Sequence, residues 1–281
     1  MEFAKILHEH ENVVIIADRH TIPYLNGQIN LLKHSLPRDA LIEDNIYDIN
    51  IHDFAPLGVR RLVKFVYRNE EWADMASKQV DDSINYFLLR YRIRLDKRET
   101  DFVLSGREVV DNGVNQAIIS DTLIISPPEN GTKLRMDDLM AFVDENMLAI
   151  SSVDEYPTYE RLQAELLRKY RQDLMLIDLP SKRGPNEEGN CGLYSAILST
   201  DKYVYVPVFG SSPSHWRYGH SSMMDRLALQ TIETNTHKKV IPITVPRAIC
   251  RRGLSLRSMA WTVHGHVADN LINMARIRFA K

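Results

Sequence analysis

Only two cysteines, Cys191 and Cys250, occur in 281 residues. That is too few for the dense staples of a small secreted domain, and it is the usage expected of a reducing, cytoplasmic compartment. Long apolar runs are also missing, so no window reads as a membrane-spanning helix. Glu2, Lys5, His8, Glu9 and Glu11 interrupt the apolar residues of the first segment, which therefore lacks the pattern of a secretory leader. Nor does charge of one sign prevail: 35 Lys and Arg stand against 37 Asp and Glu, for a formal charge of −2. No global field then draws the chain to nucleic acid or an anionic membrane. Linkers, composition shifts and low-complexity tracts are absent, so a single domain over residues 1–281 is expected.

What is present is an ordinary globular composition, 44% hydrophobic, with an α/β rhythm. Apolar runs that read as strands lie at Val13–Ala17, Tyr47–Ile51, Val63–Tyr67, Phe102–Leu104, Ala117–Ser126, Leu174–Leu179, Tyr203–Phe209, Lys239–Val245 and Met259–Val263. Helical spacing marks Tyr24–Leu36, Trp72–Leu88, Tyr159–Tyr170 and Met223–Glu233. Met136–Leu148 is ambiguous by period alone.

Five blocks, in order, resemble the guanidine-modifying (pentein) superfamily, nearest to agmatine deiminase and peptidylarginine deiminase. Asn50-Ile51-His52-Asp53 resembles a tryptophan, any residue, arginine, aspartate segment, of which Asp53 is kept. Gly106-Arg107-Glu108 through Asp111-Asn112-Gly113 is similar to a glycine pair and turn, with Arg107 for the second glycine. In Arg135-Met136-Asp137, arginine stands for a histidine and Asp137 is retained. Leu193 through Gly210 is similar to a strand ending in a proline, aromatic and glycine corner. Gly253 through Trp261 resembles the turn that carries the nucleophilic cysteine, with Ser258 in its place. The resemblance is clearest over residues 45–265. It implies an α/β propeller of pseudo-fivefold ββαβ units around a central cleft, and it turns Asp138–Val143 into a strand.

The chemistry of that superfamily does not fit these residues. A neutral serine hydroxyl is a poor nucleophile towards a guanidinium carbon, for which a thiolate is suited. An arginine stays charged and cannot shuttle protons. No catalytic residue is therefore expected at Arg135 or Ser258. Asp53, Arg107, Asp137 and Arg257 are the expected cleft or ligand-binding residues, and Arg135 is expected near Asp53 or Asp137, filling the guanidinium site itself. Each aspartate read alone is more commonly a solvated or capping residue.

A different reading attaches to Gly189-Asn190-Cys191-Gly192, which resembles the nucleophile segment of papain-like and ovarian-tumour-type cysteine proteases. It would place Cys191 at a helix N-terminus, with His264 or His266 as base and Asp269 or Asn270 as orienter. The plainer alternative is a packed core cysteine. His264 and His266 could share a strand face without forming a metal site. Trp216, Arg217, Tyr218 and His220 are a candidate partner loop. Arg247, Arg251, Arg252 and Arg257 form the one basic concentration, read as a solvated rim or an anion site.

The leading expectation is a catalytically inactive agmatine-deiminase-like protein that needs no cofactor or metal and acts by binding a protein or a small cationic ligand. A divergent guanidino-group enzyme on Asp53 and Asp137, and a cysteine hydrolase on Cys191, are the alternatives.

Overall fold

In a computed structural model the alternating strand and helix segments form five separate small sheets among the described residues. The structure describes residues 2–29, 35–58, 61–69, 71–115, 117–119, 135–151, 168–169, 171–181, 189–210, 221–263 and 265–279. They fall into two compact units, Met1–Leu104 with Trp261–Lys281, and Ser105–Ala260.

In the first unit β1 (Ile15–Ala17) pairs in parallel with β2 (Leu41–Glu43), and β3 (Leu62–Val66) with β4 (Lys97–Val103). A parallel pair needs a crossover, here the helix Asp74–Arg90. Its apolar stripe, Val80, Ile84, Phe87 and Leu88, is buried with Ile42, Phe54 and Tyr67. Burying each such side chain contributes about 1.5–3 kcal/mol. Val267 and Leu271, from the helix Gly265–Phe279, complete the same cluster, and Trp261 Nε1 donates to the Pro56 carbonyl at 2.9 Å.

In the second unit β5 (Val109–Asp111) and β6 (Ala117–Ile119) are antiparallel. β7 (Met140–Asp144) and β8 (Met147–Ser151) form a hairpin, and β8 then pairs in parallel with β9 (Met175–Leu179). β10 (Leu198–Ser199) and β11 (Tyr203–Val208) form another hairpin, and β11 runs parallel to β12 (Lys239–Thr244) with the helix Ser221–Asn235 between them. This last module is a complete strand, strand, helix, strand unit. β11 is buried along nearly its whole length, which explains why its sequence reads as a continuous apolar run rather than an alternating one.

Several expected elements are corrected. Tyr24–Leu36 is not one helix: the helix is Ile22–Leu25, and Asn26 Oδ1 accepts from Gln28 N at 3.0 Å while Gly27 takes φ +78°, a local turn that competes with helix. Tyr47–Ile51 is not a strand, because Asp48 Oδ1 captures the Asn50 amide at 3.0 Å and a short helix, Ile51–Phe54, begins at once. Asp138 and Leu139 belong to the short helix Met136–Leu139, and the strand begins at Met140. Met259–Val263 joins no ladder: the Met259 and Ala260 amides close local turns on Ser255 O and Arg257 O. His266 lies exposed in the first turn of a helix, not on a strand, so the shared strand face with His264 is not formed. The expected helix Tyr159–Tyr170 lies outside the described residues apart from Arg168 and Lys169, as do the strand beyond Ile119, Trp216, Tyr218, His220 and His264.

Candidate functional site

Ser105 caps a single 3₁₀ turn, Gly106–Glu108, its Oγ accepting from the Arg107 amide at 3.3 Å. That turn presents two opposite charges, Arg107 and Glu108, both buried. The segment Arg135–Asp138 presents the complementary set. Arg107 Nε donates to Asp137 Oδ1 at 2.9 Å and Arg107 Nη2 to Asp138 Oδ1 at 2.8 Å. In the opposite sense Arg135 Nη1 donates to Glu108 Oε1 at 2.9 Å. The two segments thus exchange charged side chains, in bonds stronger than neutral ones because both partners are ionic.

The network continues on both sides of Arg107. Asp138 Oδ1 also accepts from Asn190 Nδ2 at 2.8 Å, and its Oδ2 accepts from the Arg135 amide at 3.0 Å, which anchors the start of the Met136–Leu139 helix. Asp137 Oδ2 accepts from Ser255 Oγ at 3.0 Å. Ser255 Oγ in turn accepts from the Ser258 amide at 2.9 Å, and Ser258 Oγ accepts from the Ser255 amide and donates to the Ser255 carbonyl, each at 3.0 Å. One chain of hydrogen bonds therefore runs from Ser258 through Ser255, Asp137, Arg107 and Asp138 to Asn190.

This network is buried: Asp137 and Ser258 have no exposed surface, and the Arg107 side chain retains 9%. Two carboxylates share one guanidinium there, so charge balance is incomplete. Burial pushes the Asp138 carboxyl up to about 6, with the Arg107 cation opposing it and the Asp137 anion reinforcing it. The Asn190 hydrogen bond acts in the same sense as Arg107.

The expected site residues are distributed as follows. Arg107, Asp137 and Ser258 are linked through Ser255 in one network. Arg135 is not on Asp137, as expected, but on Glu108, its side chain 30% exposed; the guanidinium that engages Asp137 is that of Arg107. Arg257 Nη2 donates to Asp111 Oδ2 at 2.9 Å, tying its segment to β5, while Arg247 is half-buried and Arg251 and Arg252 are exposed. Asp53 is half-buried in the first unit, in the short helix Ile51–Phe54.

Sequence reasoning passed over Glu108, Asp138, Asn190 and Ser255 as site members. Glu108, Asp138 and Asn190 adjoin the candidates Arg107, Asp137 and Cys191, and Ser255 lies three positions before Ser258, so closeness along the chain is the signal the sequence offers. Among the described residues no group of three or more His, Cys, Asp and Glu side chains could hold a metal ion, and no helix is long and apolar enough to cross a membrane.

Cys191 is corrected most plainly. It is disulfide-bonded to Cys250, with Cα atoms 4.8 Å apart, and it lies in a turn rather than at a helix start. A sulfur in a disulfide is not a thiolate, so the cysteine-hydrolase reading loses its nucleophile. The reducing compartment inferred from the cysteine count loses its support by the same observation.

No protein-family model and no curated protein matches the chain. Solved structures do. The agmatine deiminase of C. jejuni is 18% identical with a TM-score of 0.66, over 92% of this chain and 84% of that one. An agmatine deiminase of Enterococcus faecalis is 15% identical with a TM-score of 0.61, over 92% and 84%. A dimethylarginine dimethylaminohydrolase, solved as an adduct with a chloropyridine, is 12% identical with a TM-score of 0.50, over 88% and 98%. The chain has the α/β fold of these guanidine-modifying proteins, as the five sequence blocks implied.

Proposed function

We propose that this chain is a non-catalytic relative of the agmatine and arginine deiminases that acts by binding a protein partner. The observation that carries this reading is the Arg107 guanidinium seated on the buried Asp137 and Asp138 carboxylates. In the superfamily the aspartate matched by Asp137 grips a cationic guanidino substrate. Here a guanidinium of the protein itself engages that carboxylate, and a small cation would have to displace it.

The two positions matched to catalytic groups support the same reading. The Ser258 hydroxyl donates to the Ser255 carbonyl and accepts from the Ser255 amide, so among the described residues its proton goes to backbone and not to a base. Arg135 is paired with Glu108 and remains cationic, so the residue matched to the family's histidine does not serve as a proton shuttle. With the carboxylates engaged, a protein partner is favoured over a small cation, and the aromatic pair Trp216 and Tyr218 is proposed to meet it.

Incubation of the purified chain with agmatine, free arginine and an arginine-containing peptide tests the reading. Neither ammonia nor a ureido product is expected above a heat-denatured control, and agmatine titrated in a calorimeter should give no binding heat. Turnover of any of the three overturns the proposal.

A further inference from the structure

The disulfide takes no part in the reading above, yet it lies across the two segments that reach the carboxylate pair. Asn190, which donates to Asp138, is the residue before Cys191. Ser255, which donates to Asp137, follows Cys250 by one turn of chain. The segments touch closely at the crosslink: the Asn190 amide donates to the Cys250 carbonyl at 3.0 Å. At Gly189, with φ +71°, an added Cβ would lie 1.9 Å from that same carbonyl oxygen, so only a glycine admits the approach. Cys191 and Cys250 are both buried.

We propose that the Cys191–Cys250 disulfide is a redox-reversible clasp on the Asp137–Asp138 site, holding the Asn190 and Ser255 arms so that both donate to the carboxylates. The reductant is a dithiol. One of its thiolates attacks a protein sulfur, the S–S bond breaks, and a mixed disulfide forms while the other protein sulfur leaves as thiolate. The second thiol of the reductant then displaces the remaining protein sulfur and closes its own disulfide. Two electrons pass to the protein, whose cysteines take up two protons. Once the crosslink is cut, the arms are held by hydrogen bonds and the packing of side chains such as Leu193 and Leu256, with no covalent tie between them, and the donors to Asp137 and Asp138 loosen together. Because the sulfurs are buried, reduction proceeds through local opening and is slow in the native protein.

The test is hydrogen exchange of the full chain read by peptide mass, with and without dithiothreitol, preceded by alkylation with iodoacetamide. Without reductant neither cysteine is expected to label; after reduction both should. Exchange is then expected to rise at least tenfold in peptides covering residues 189–194, 251–258 and 135–139, while the core strand β11 stays protected. The double variant C191S/C250S should show the reduced pattern with or without dithiothreitol. Labelling of both cysteines without reductant overturns the proposal, because the crosslink is then absent. Faster exchange at 189–194 and 251–258 with residues 135–139 unchanged overturns it too, since the arms would not communicate with the carboxylates. Loss of protection throughout, β11 included, would reduce the disulfide to a staple of overall stability and also sink the clasp.

Discussion

Arg107 Nε stands 2.9 Å from Asp137 Oδ1, thirty residues along the chain, and neither side chain has more than a tenth of its surface in water. Removing one member of such a buried pair leaves an uncompensated charge, at a cost of about 3–5 kcal/mol. Arg107→Ala is therefore expected to lower the free energy of urea unfolding by that amount. Guanidinium or methylguanidine at millimolar concentration should raise the variant's Tm, with sodium chloride at equal ionic strength as the control. The wild-type protein, its carboxylates already engaged, should not respond.

The Asp138 carboxyl, raised from 3.8 to about 6 by burial, gives stability an unusual sign of pH dependence. Between those values the native state keeps a proton that the unfolded chain has released. The contribution of this group is full below about 3.8 and is lost as pH rises through about 6. Carbon-detected NMR of the aspartate carboxyls should show this midpoint. In Asn190→Ala, which removes a hydrogen bond that favours the ionised form, the midpoint should move higher. A native midpoint at the ordinary aspartate value would contradict the argument.

Two glycines with nearly the same φ separate strain from collision. Gly189 has φ +71° with backbone atoms of Cys250 and Arg251 in the way of any Cβ, whereas Gly253 has φ +69° with nothing within 4 Å. Gly253→Ala should cost about 1–2 kcal/mol, the left-handed conformation alone. Gly189→Ala should cost more than about 3 kcal/mol, because backbone must also move. Equal urea midpoints for the two variants would refute the close approach.

Ser258→Cys restores the sulfur of the matched enzymes without restoring their surroundings. The position has no exposed surface and its neighbours are the Ser255 amide and carbonyl. The variant should release no ammonia from agmatine, alone or combined with Arg135→His, since Arg107 still holds Asp137. The new thiol should react with iodoacetamide only after urea is added.

Much of the fold was legible because its signals are local. β11 is an unbroken apolar run, and the helix Asp74–Arg90 carries a clear stripe at Val80, Ile84, Phe87 and Leu88, so both were readable in the sequence. Tyr47–Ile51 misled because an aspartate side chain competes with the ladder for the Asn50 amide, an effect that hydrophobic pattern does not encode. At the site, Arg107 and Asp137 were each visible as members of the resembling blocks, but their pairing was not. A contact between residues thirty positions apart leaves no trace in composition or period, and a charged residue in a polar turn reads by default as solvated. The disulfide was hidden for the same reason, since its cysteines lie 59 positions apart.

The chain leaves the first compact unit after Leu104 and returns to it at Trp261. That unit's apolar cluster includes Val267 and Leu271, so it lacks part of its interior until those residues have been synthesised. The second unit, encoded without interruption from Ser105 to Ala260, has every residue it needs earlier. A fragment that stops at Leu104 therefore lacks part of the interior against which the helix Asp74–Arg90 is buried.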